Sequence, residues 1–119
     1  MSVHQQTAFR FHVAESENGI TVGFPADTAL TEANAEALQR ELLTLSTSRT
    51  HPHLIVDLAG ITILTSVVLS KFLAINKQVQ AIGGRFSLHN PTPTVQMVFK
   101  VTRLDTILDV QTDSTVLPA

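Results

Sequence analysis

A strand, a helix and a second strand follow one another between residues 53 and 89, and this unit constrains the fold more than any other feature of the sequence. Residues 53–58 have a continuous apolar centre, as expected of a strand that is covered on both faces. Apolar residues then recur at helical spacing over residues 66–82, and two glycines follow where the helix would end. Residues 85–89 alternate between polar and apolar side chains. Because a crossover helix joins parallel strands, the sequence predicts an α/β domain.

Two further strands are predicted before this unit. Phe9, Phe11 and Val13 occupy every second position, and residues 20–24 alternate in the same way. Asn18-Gly19 stands between the two runs, and both residues tolerate the positive φ angles that a tight hairpin requires. The sequence therefore predicts that the first two strands form an antiparallel hairpin.

Two more helices and one more strand complete the predicted order. Residues 25–31 are predicted to be a loop, and Thr31 is predicted to cap a helix with apolar residues at helical spacing. Thr92-Pro93 has the pattern of an N-cap followed by proline at the first helical position. A short strand at residues 107–110 precedes a polar tail at 111–119. We therefore predict one domain over residues 1–119, with a core of about 9–110.

Charge and composition exclude several classes of protein. The 119 residues carry a formal net charge of -2, without a basic run and without Trp or Tyr for stacking on bases, so nucleic acid is not an expected partner. There is no cysteine, which excludes disulfides and thiol chemistry. The first residues lack the apolar stretch of a signal peptide, and no apolar run is long enough to span a bilayer. We expect a soluble cytoplasmic protein without membrane insertion.

No motif for catalysis or for a cofactor is visible in the sequence. There is no recognisable Ser-His-Asp or Cys-His arrangement, no phosphate loop and no nucleotide-binding glycine pattern. His51-Pro52-His53 lacks a carboxylate or thiol at ligand spacing, whereas structural zinc usually has four protein ligands. The sequence therefore predicts a protein that is not an enzyme and that holds no cofactor or metal.

The predicted functional centre is the start of the helix at residues 66–82. Thr65 and Ser66 are both suitable N-caps, and the sequence does not choose between them. Val67 and Val68 are adjacent, so they cannot both face the same core. Either one valine is buried and the other is merely exposed, or the pair belongs to a small apolar docking patch, which is the interpretation that we favour.

The order of elements and three stretches of sequence resemble the STAS domain, a family named for sulphate transporters and anti-sigma factor antagonists. The stretches are residues 54–61, residues 81–88 with a Gly-Gly pair and a basic residue, and residues 91–108. Together they extend over most of the chain, from about Phe9 to Val110. The resemblance implies an α/β fold in which a sheet of mixed parallel and antiparallel strands has its helices packed mainly on one face.

The resemblance also implies a function and a site. Bacterial members of the family are anti-sigma factor antagonists, which bind an anti-sigma factor with a kinase-type ATPase fold and are phosphorylated by it at the start of the central helix. The matching hydroxyl residue in this chain is Ser66, which is therefore the implied phosphorylation site. The implied partner contacts are its neighbours Thr65, Val67, Val68, Leu69 and Ser70.

The sequence departs from the family pattern around Ser66. The aspartate that usually precedes the serine is Thr65, and the small residue and glycine that usually follow it are Val67 and Val68. Residues 28–31 carry no carboxylate where the family has an acidic loop. The surface becomes more apolar, which suits a permanent contact. The alternative prediction is therefore a constitutive, non-phosphorylated subunit of a stress-signalling assembly or of a lipid-transporting ABC complex, and a homodimer is left open.

Overall fold

The computed structural model describes residues 2–5 and 10–111, which form eight strands, three α-helices and one short 3-10 helix. The strands are β1 (Ser2–Gln5), β2 (Arg10–Ser16), β3 (Gly19–Gly23), β4 (Thr28–Leu30), β5 (His53–Asp57), β6 (Ile61–Leu64), β7 (Arg85–His89) and β8 (Asp109–Gln111). The helices are α1 (Glu32–Ser46), α2 (Ser66–Ala81) and α3 (Pro93–Thr102), followed by the 3-10 turn Leu104–Thr106.

Six of the strands form one mixed sheet in the order β1-β2-β3-β5-β7-β8. The pairs β1/β2 and β2/β3 are antiparallel, and the pairs β3/β5, β5/β7 and β7/β8 are parallel. The predicted hairpin and the predicted parallel pairing around the central helix are both confirmed. Gly19 has a φ of 154° at the hairpin, where a side chain would collide with the His53 carbonyl oxygen, so the turn needs glycine.

The three helices pack mainly on one face of this sheet, as the resemblance implies. Alternate strand residues are buried on that face, and they are Phe11, Val13, Ile20, Val22, Leu54, Val56, Phe86 and Leu88. The largest contribution from the central helix is Phe72, whose ring centroid lies 6.0 Å from that of Phe86 at an interplanar angle of 52°. Helix α2 is thereby fixed to β7 by direct contact of two buried aromatic rings.

Helix boundaries follow the signals in the sequence. The Thr31 hydroxyl accepts from the Ala33 N–H at 3.2 Å, and the Asn34 side chain accepts from the Thr31 N–H at 2.8 Å, which makes a reciprocal cap for α1. Thr92 caps α3, with Pro93 in the first turn. Gly83 has a φ of 80° just after α2, as expected of a glycine that ends a helix.

Three expectations about the strands need correction. The predicted loop at residues 25–31 contains β4, which pairs in parallel with β6 as a separate two-stranded sheet. Three residues are too few to show a period, so only the partner strand reveals this element. Strand β1 was not predicted, and the last strand covers Asp109–Gln111 rather than residues 107–110. Phe9 and residues 112–119 lie outside the described residues.

Within residues 2–5 and 10–111, none of the helices combines the length and the apolar character that crossing a membrane would require.

Candidate functional site

The start of α2 lies beside the start of α1, because strands β4 and β6 pair in parallel and lead directly into the two helices. The Thr65 N–H donates to the Leu30 carbonyl oxygen at 3.2 Å, which extends this pairing to the residue before α2. Thr31, the N-cap of α1, is the next residue after Leu30. The candidate site therefore includes the entry to α1, in agreement with the sequence-based grouping of residues 28–31 with the surface around Ser66.

Thr65 occupies the N-cap position of α2 but does not cap it with its side chain. Its φ of -93° and ψ of 166° are those of an N-cap, whereas its hydroxyl makes no capping hydrogen bond. The Oγ1 atom is buried and has no hydrogen-bond partner in the described part of the chain. Thr65 is therefore the N-cap by its backbone conformation. Its side chain does not accept a hydrogen bond from the first-turn N–H groups of α2.

Valine substitutions at two threonines test this difference in capping. We expect Thr31→Val to lower the free energy of unfolding by about 1 kcal/mol, because it removes a working cap. Thr65→Val has the same shape change but removes a buried hydroxyl without a partner, so we expect no loss of stability, or a small gain. Urea denaturation of both variants provides the measurement. An equal loss in the two variants would mean that the Thr65 hydroxyl caps α2 in solution.

Ser66 and Ser70 lie one helical turn apart on the exposed face of α2. The Ser70 hydroxyl donates to the Val67 carbonyl oxygen at 2.6 Å and is therefore engaged within its own helix. Ser66 is the first residue of α2, and its hydroxyl makes no hydrogen bond to the residues that the structure describes. Of these two serines, Ser66 thus has the hydroxyl that is available to an incoming group.

Two of the predicted partner contacts lie in the core. The exposed fraction of Val68 is 0% and that of Leu69 is 5%, so a docked protein cannot reach either side chain. Val67 is half-buried and packs against the core with part of its side chain. Helical geometry turns Val68 and Leu69 toward the sheet and leaves Val67 at the border, which is the first of the two interpretations considered for the valine pair. The predicted apolar patch thus keeps only Val67.

Ile63 supplies an exposed apolar side chain that sequence reasoning missed. It lies in β6, three residues before Ser66, and 53% of its surface is exposed. Strand β6 does not alternate, since Ile61 and Leu64 are buried while Thr62 and Ile63 are both exposed. No period in the sequence could therefore have identified Ile63 as a surface residue. We call Ile63, Ser66, Val67 and Ser70 the α2 surface.

Charged groups are sparse at the α2 surface. The first turn of α2 contains no acidic residue, whereas the first turn of the neighbouring α1 contains Glu32. The Lys71 Nζ lies 3.9 Å from a carboxylate oxygen of Glu36 and links the two helices one turn further on. Because the Glu36 carboxylate is well exposed and the two groups are 3.9 Å apart, this pair contributes about 1 kcal/mol or less. The positive end of the α2 dipole therefore has no carboxylate in its own first turn.

A serine, a histidine and an aspartate meet on the sheet face away from the helices. The Ser87 hydroxyl donates to an Asp109 carboxylate oxygen at 3.0 Å and lies 3.0 Å from Nε2 of His53, while Arg85 pairs with the same Asp109 oxygen at 2.7 Å. The sequence showed no recognisable Ser-His-Asp pattern. These three residues are far apart in the chain, and only the register of β5, β7 and β8 brings them together.

This cluster does not have the geometry of a catalytic triad. The carboxylate contacts the serine rather than orienting the histidine, and Ser87 is 0% exposed. Burial, together with the charges of Arg85 and His89, lowers the pKa of His53. Burial opposes ionisation of Asp109, but hydrogen bonds from Arg85, Ser87 and Gln111 outweigh it and lower the pKa of that carboxyl. The cluster therefore holds β8 against the sheet as a structural contact.

Metal ligation finds no support in the described ranges 2–5 and 10–111. They contain no group of three or more His, Cys, Asp or Glu side chains that could hold a metal ion.

Comparison with known proteins gives one family model and a set of similar solved structures. A family model described as STAS domain matches residues 12–117. No curated protein matches the sequence. A STAS-domain anti-sigma-factor antagonist protein from Planctomyces limnophilus has a similar structure, with a TM-score of 0.74 at 18% identity, over 87% of this chain and 91% of that chain.

The anti-sigma factor antagonist SpoIIAA has a similar fold in two states. Its unphosphorylated form has a TM-score of 0.66 at 22% identity, over 87% of this chain and 89% of that chain. Its phosphorylated form, from Bacillus, has a TM-score of 0.62 at 19% identity, over 87% of this chain and 92% of that chain. Identities this low carry the fold alone, whereas the family model spans nearly all of the residues. The chain therefore belongs to the STAS domain family.

Proposed function

We propose that this chain is an anti-sigma factor antagonist: a protein-interaction module that binds a kinase-type anti-sigma factor through the α2 surface and is regulated by phosphorylation of Ser66. The proposed role is non-catalytic and cytoplasmic, and it needs no cofactor. Its partner contacts are Ser66, Val67 and Ser70 together with Ile63, and the backbone of Thr65 positions the helix start.

The observation that carries the proposal is the state of Ser66. It is exposed at the first position of a 16-residue helix, and its hydroxyl is not engaged by the described part of the chain. The buried face of α2 fixes this position, because Phe72, Ile75 and Val79 are all 0% exposed. A kinase therefore meets a hydroxyl that is accessible and held at a constant place. The solved structures of SpoIIAA in both phosphorylation states support the proposal by similarity.

A phosphate on Ser66 would change binding without a change of fold. The first hydrogen bond inside α2 runs from the Leu69 N–H to the Thr65 carbonyl oxygen at 3.1 Å, so the N–H groups before it have no acceptor within the helix. Such a helix start tolerates an anion. The phosphate adds roughly -1.5 to -2 charges to the α2 surface, which includes Ile63 and Val67. A partner that covers these apolar side chains would have to desolvate that charge, and it would dissociate.

Incubation with the cognate anti-sigma kinase, ATP and magnesium tests the proposal. We expect one phosphate per chain, mapped to Ser66 by mass spectrometry, and no incorporation in Ser66→Ala. Ser70→Ala is the matched control, because it removes a hydroxyl from the same helix face that is already engaged with Val67. Absence of phosphate, or its transfer to Ser70, would refute the assignment of Ser66.

A constitutive subunit is the second candidate, and the exposure of Ile63 favours it. An apolar side chain that is 53% exposed, three residues before the start of α2, suits a contact that is never released. The partner would then be a stress-signalling assembly or a lipid-transporting ABC complex. Affinity purification of partners with the wild-type chain and with the phosphomimetic variant Ser66→Asp distinguishes the two functions. A complex retained by both chains supports the constitutive subunit.

A further inference from the structure

A hollow of about 240 Å³ lies on the sheet face away from the helices, at some of the residues that the proposed function does not use. Its floor is Gly23 in β3, between His12 in β2 and Asp57 in β5. His12 is the register partner of Gly23, and a Cβ atom built on Gly23 would lie 4.0 Å from that of Asp57. The hollow exists because the residue between two larger side chains has no side chain.

The hollow lies where two neighbouring parallel strands end. Strands β3 and β5 run parallel, and they end at Gly23 and Asp57. Here Phe24 and the turn at Gly60 line the end of the hollow. Its volume is below the roughly 300 Å³ at which pockets for drug-sized ligands begin, so it suits a small molecule.

The charge in the hollow selects the class of ligand. Asp57 is the one lining residue with a formal charge, and no lysine or arginine is among the described residues that line the hollow. The Asp57 carboxylate is oriented by the Ala59 N–H, which donates to its Oδ1 at 3.0 Å, and it takes part in none of the ion pairs of residues 10–111. An oriented carboxylate without a cationic partner is a ready acceptor for one.

Two further polar groups line the same space. Thr21 lies in β3, the strand that contains Gly23, and His12 lies in the neighbouring strand β2. The Nδ1 atom of His12 is buried and has no hydrogen-bond partner among the described residues. A buried nitrogen without a partner is costly, and it marks a place where a bound group or water completes the structure.

From this geometry we infer that the hollow binds a compact organic cation, with an amine or guanidinium group on Asp57 and its carbon chain against Phe24. This site is separate from the α2 surface and does not depend on the proposed function. The domain would then have a binding site for a small molecule in addition to its protein-binding surface.

Nuclear magnetic resonance of the ¹⁵N-labelled full chain, titrated with agmatine, tests the inference. We expect saturable shifts of the backbone amide signals of Thr21, Gly23, Ala59 and Gly60. Succinate and butyramide, as anionic and neutral probes, are expected to produce no saturable shift. Shifts that do not saturate, or equal shifts with succinate, would overturn the inference.

Two substitutions at the hollow distinguish a site from a general charge effect. Asp57→Asn keeps an oxygen for the Ala59 N–H and removes only the charge, so we expect the Kd for agmatine to rise at least about tenfold. Gly23→Val fills the hollow without a clash, because its Cβ meets nothing closer than 4.0 Å, so this variant should lose agmatine binding. Asp105→Asn, at an exposed carboxylate elsewhere, is the control and should bind like wild type. Unchanged affinity in Asp57→Asn would refute the site, even if Ser66 is phosphorylated as proposed.

Discussion

Ser66→Asp is expected to weaken binding of the anti-sigma partner by at least about 30-fold, because burying an unpaired charge in an interface costs about 2 kcal/mol or more. The new carboxylate stands at the start of α2, next to Val67 and close in sequence to the exposed Ile63. A partner that covers these apolar groups must remove water from the carboxylate. Isothermal titration calorimetry with the purified partner provides the Kd.

The same substitution should not harm the fold, and this separates loss of binding from loss of structure. A negative charge at the positive end of a helix stabilises it by about 0.3–1 kcal/mol. We therefore expect Ser66→Asp to unfold at the same or a slightly higher urea concentration than wild type. Ser66→Asn, of nearly the same shape without the charge, is the control and should retain the partner. Unchanged affinity in Ser66→Asp would contradict the switch and favour the constitutive subunit.

Phe72→Ala is expected to lower the free energy of unfolding by about 3–5 kcal/mol, the usual cost of removing a buried aromatic ring. Phe72 is 0% exposed, and its ring contacts that of Phe86 with 6.0 Å between centroids. The substitution leaves a cavity between α2 and β7. Because the free energy of unfolding of typical domains is only about 5–15 kcal/mol, this substitution would remove a large part of the stability.

Urea denaturation of Phe72→Ala, Phe72→Leu and Met97→Ala measures this effect against two references. Phe72→Leu keeps most of the buried volume, so its loss should be clearly smaller. Met97 is 61% exposed on α3, and its replacement should change the stability by about 0.5 kcal/mol or less. A loss below about 1 kcal/mol in Phe72→Ala would mean that Phe72 does not join the central helix to the sheet.

The fold was largely predictable because its signals are local. Asn18-Gly19 specifies the hairpin, Thr31 and Thr92 specify helix starts, and the glycines after α2 specify its end. Each of these depends on the backbone preferences of a few consecutive residues. Strand β4 was not predictable in this way, because its three residues become a strand only by pairing with β6.

The sequence predicted where the candidate site lies along the chain, but not which side chains are exposed there. The sequence identified Ser66 as a residue at the start of the central helix, and α2 begins there. It could not exclude Val68 and Leu69 from the surface or include Ile63, because exposure depends on how the helix is rotated against the sheet. The hollow above Gly23 was equally hidden, since it is formed by residues of three strands.

Apart from the resemblance that indicated the family, the sequence by itself determined the helix start that carries Ser66 and the succession of strands and helices, except for β1 and β4. These depend on local periodicity and on backbone preferences, which act over a few residues. Only the tertiary structure decided which side chains face outward at the α2 surface, which polar groups meet around Ser87, and where the sheet leaves a hollow. These properties arise from strand register and from helix packing, which join residues far apart in the chain.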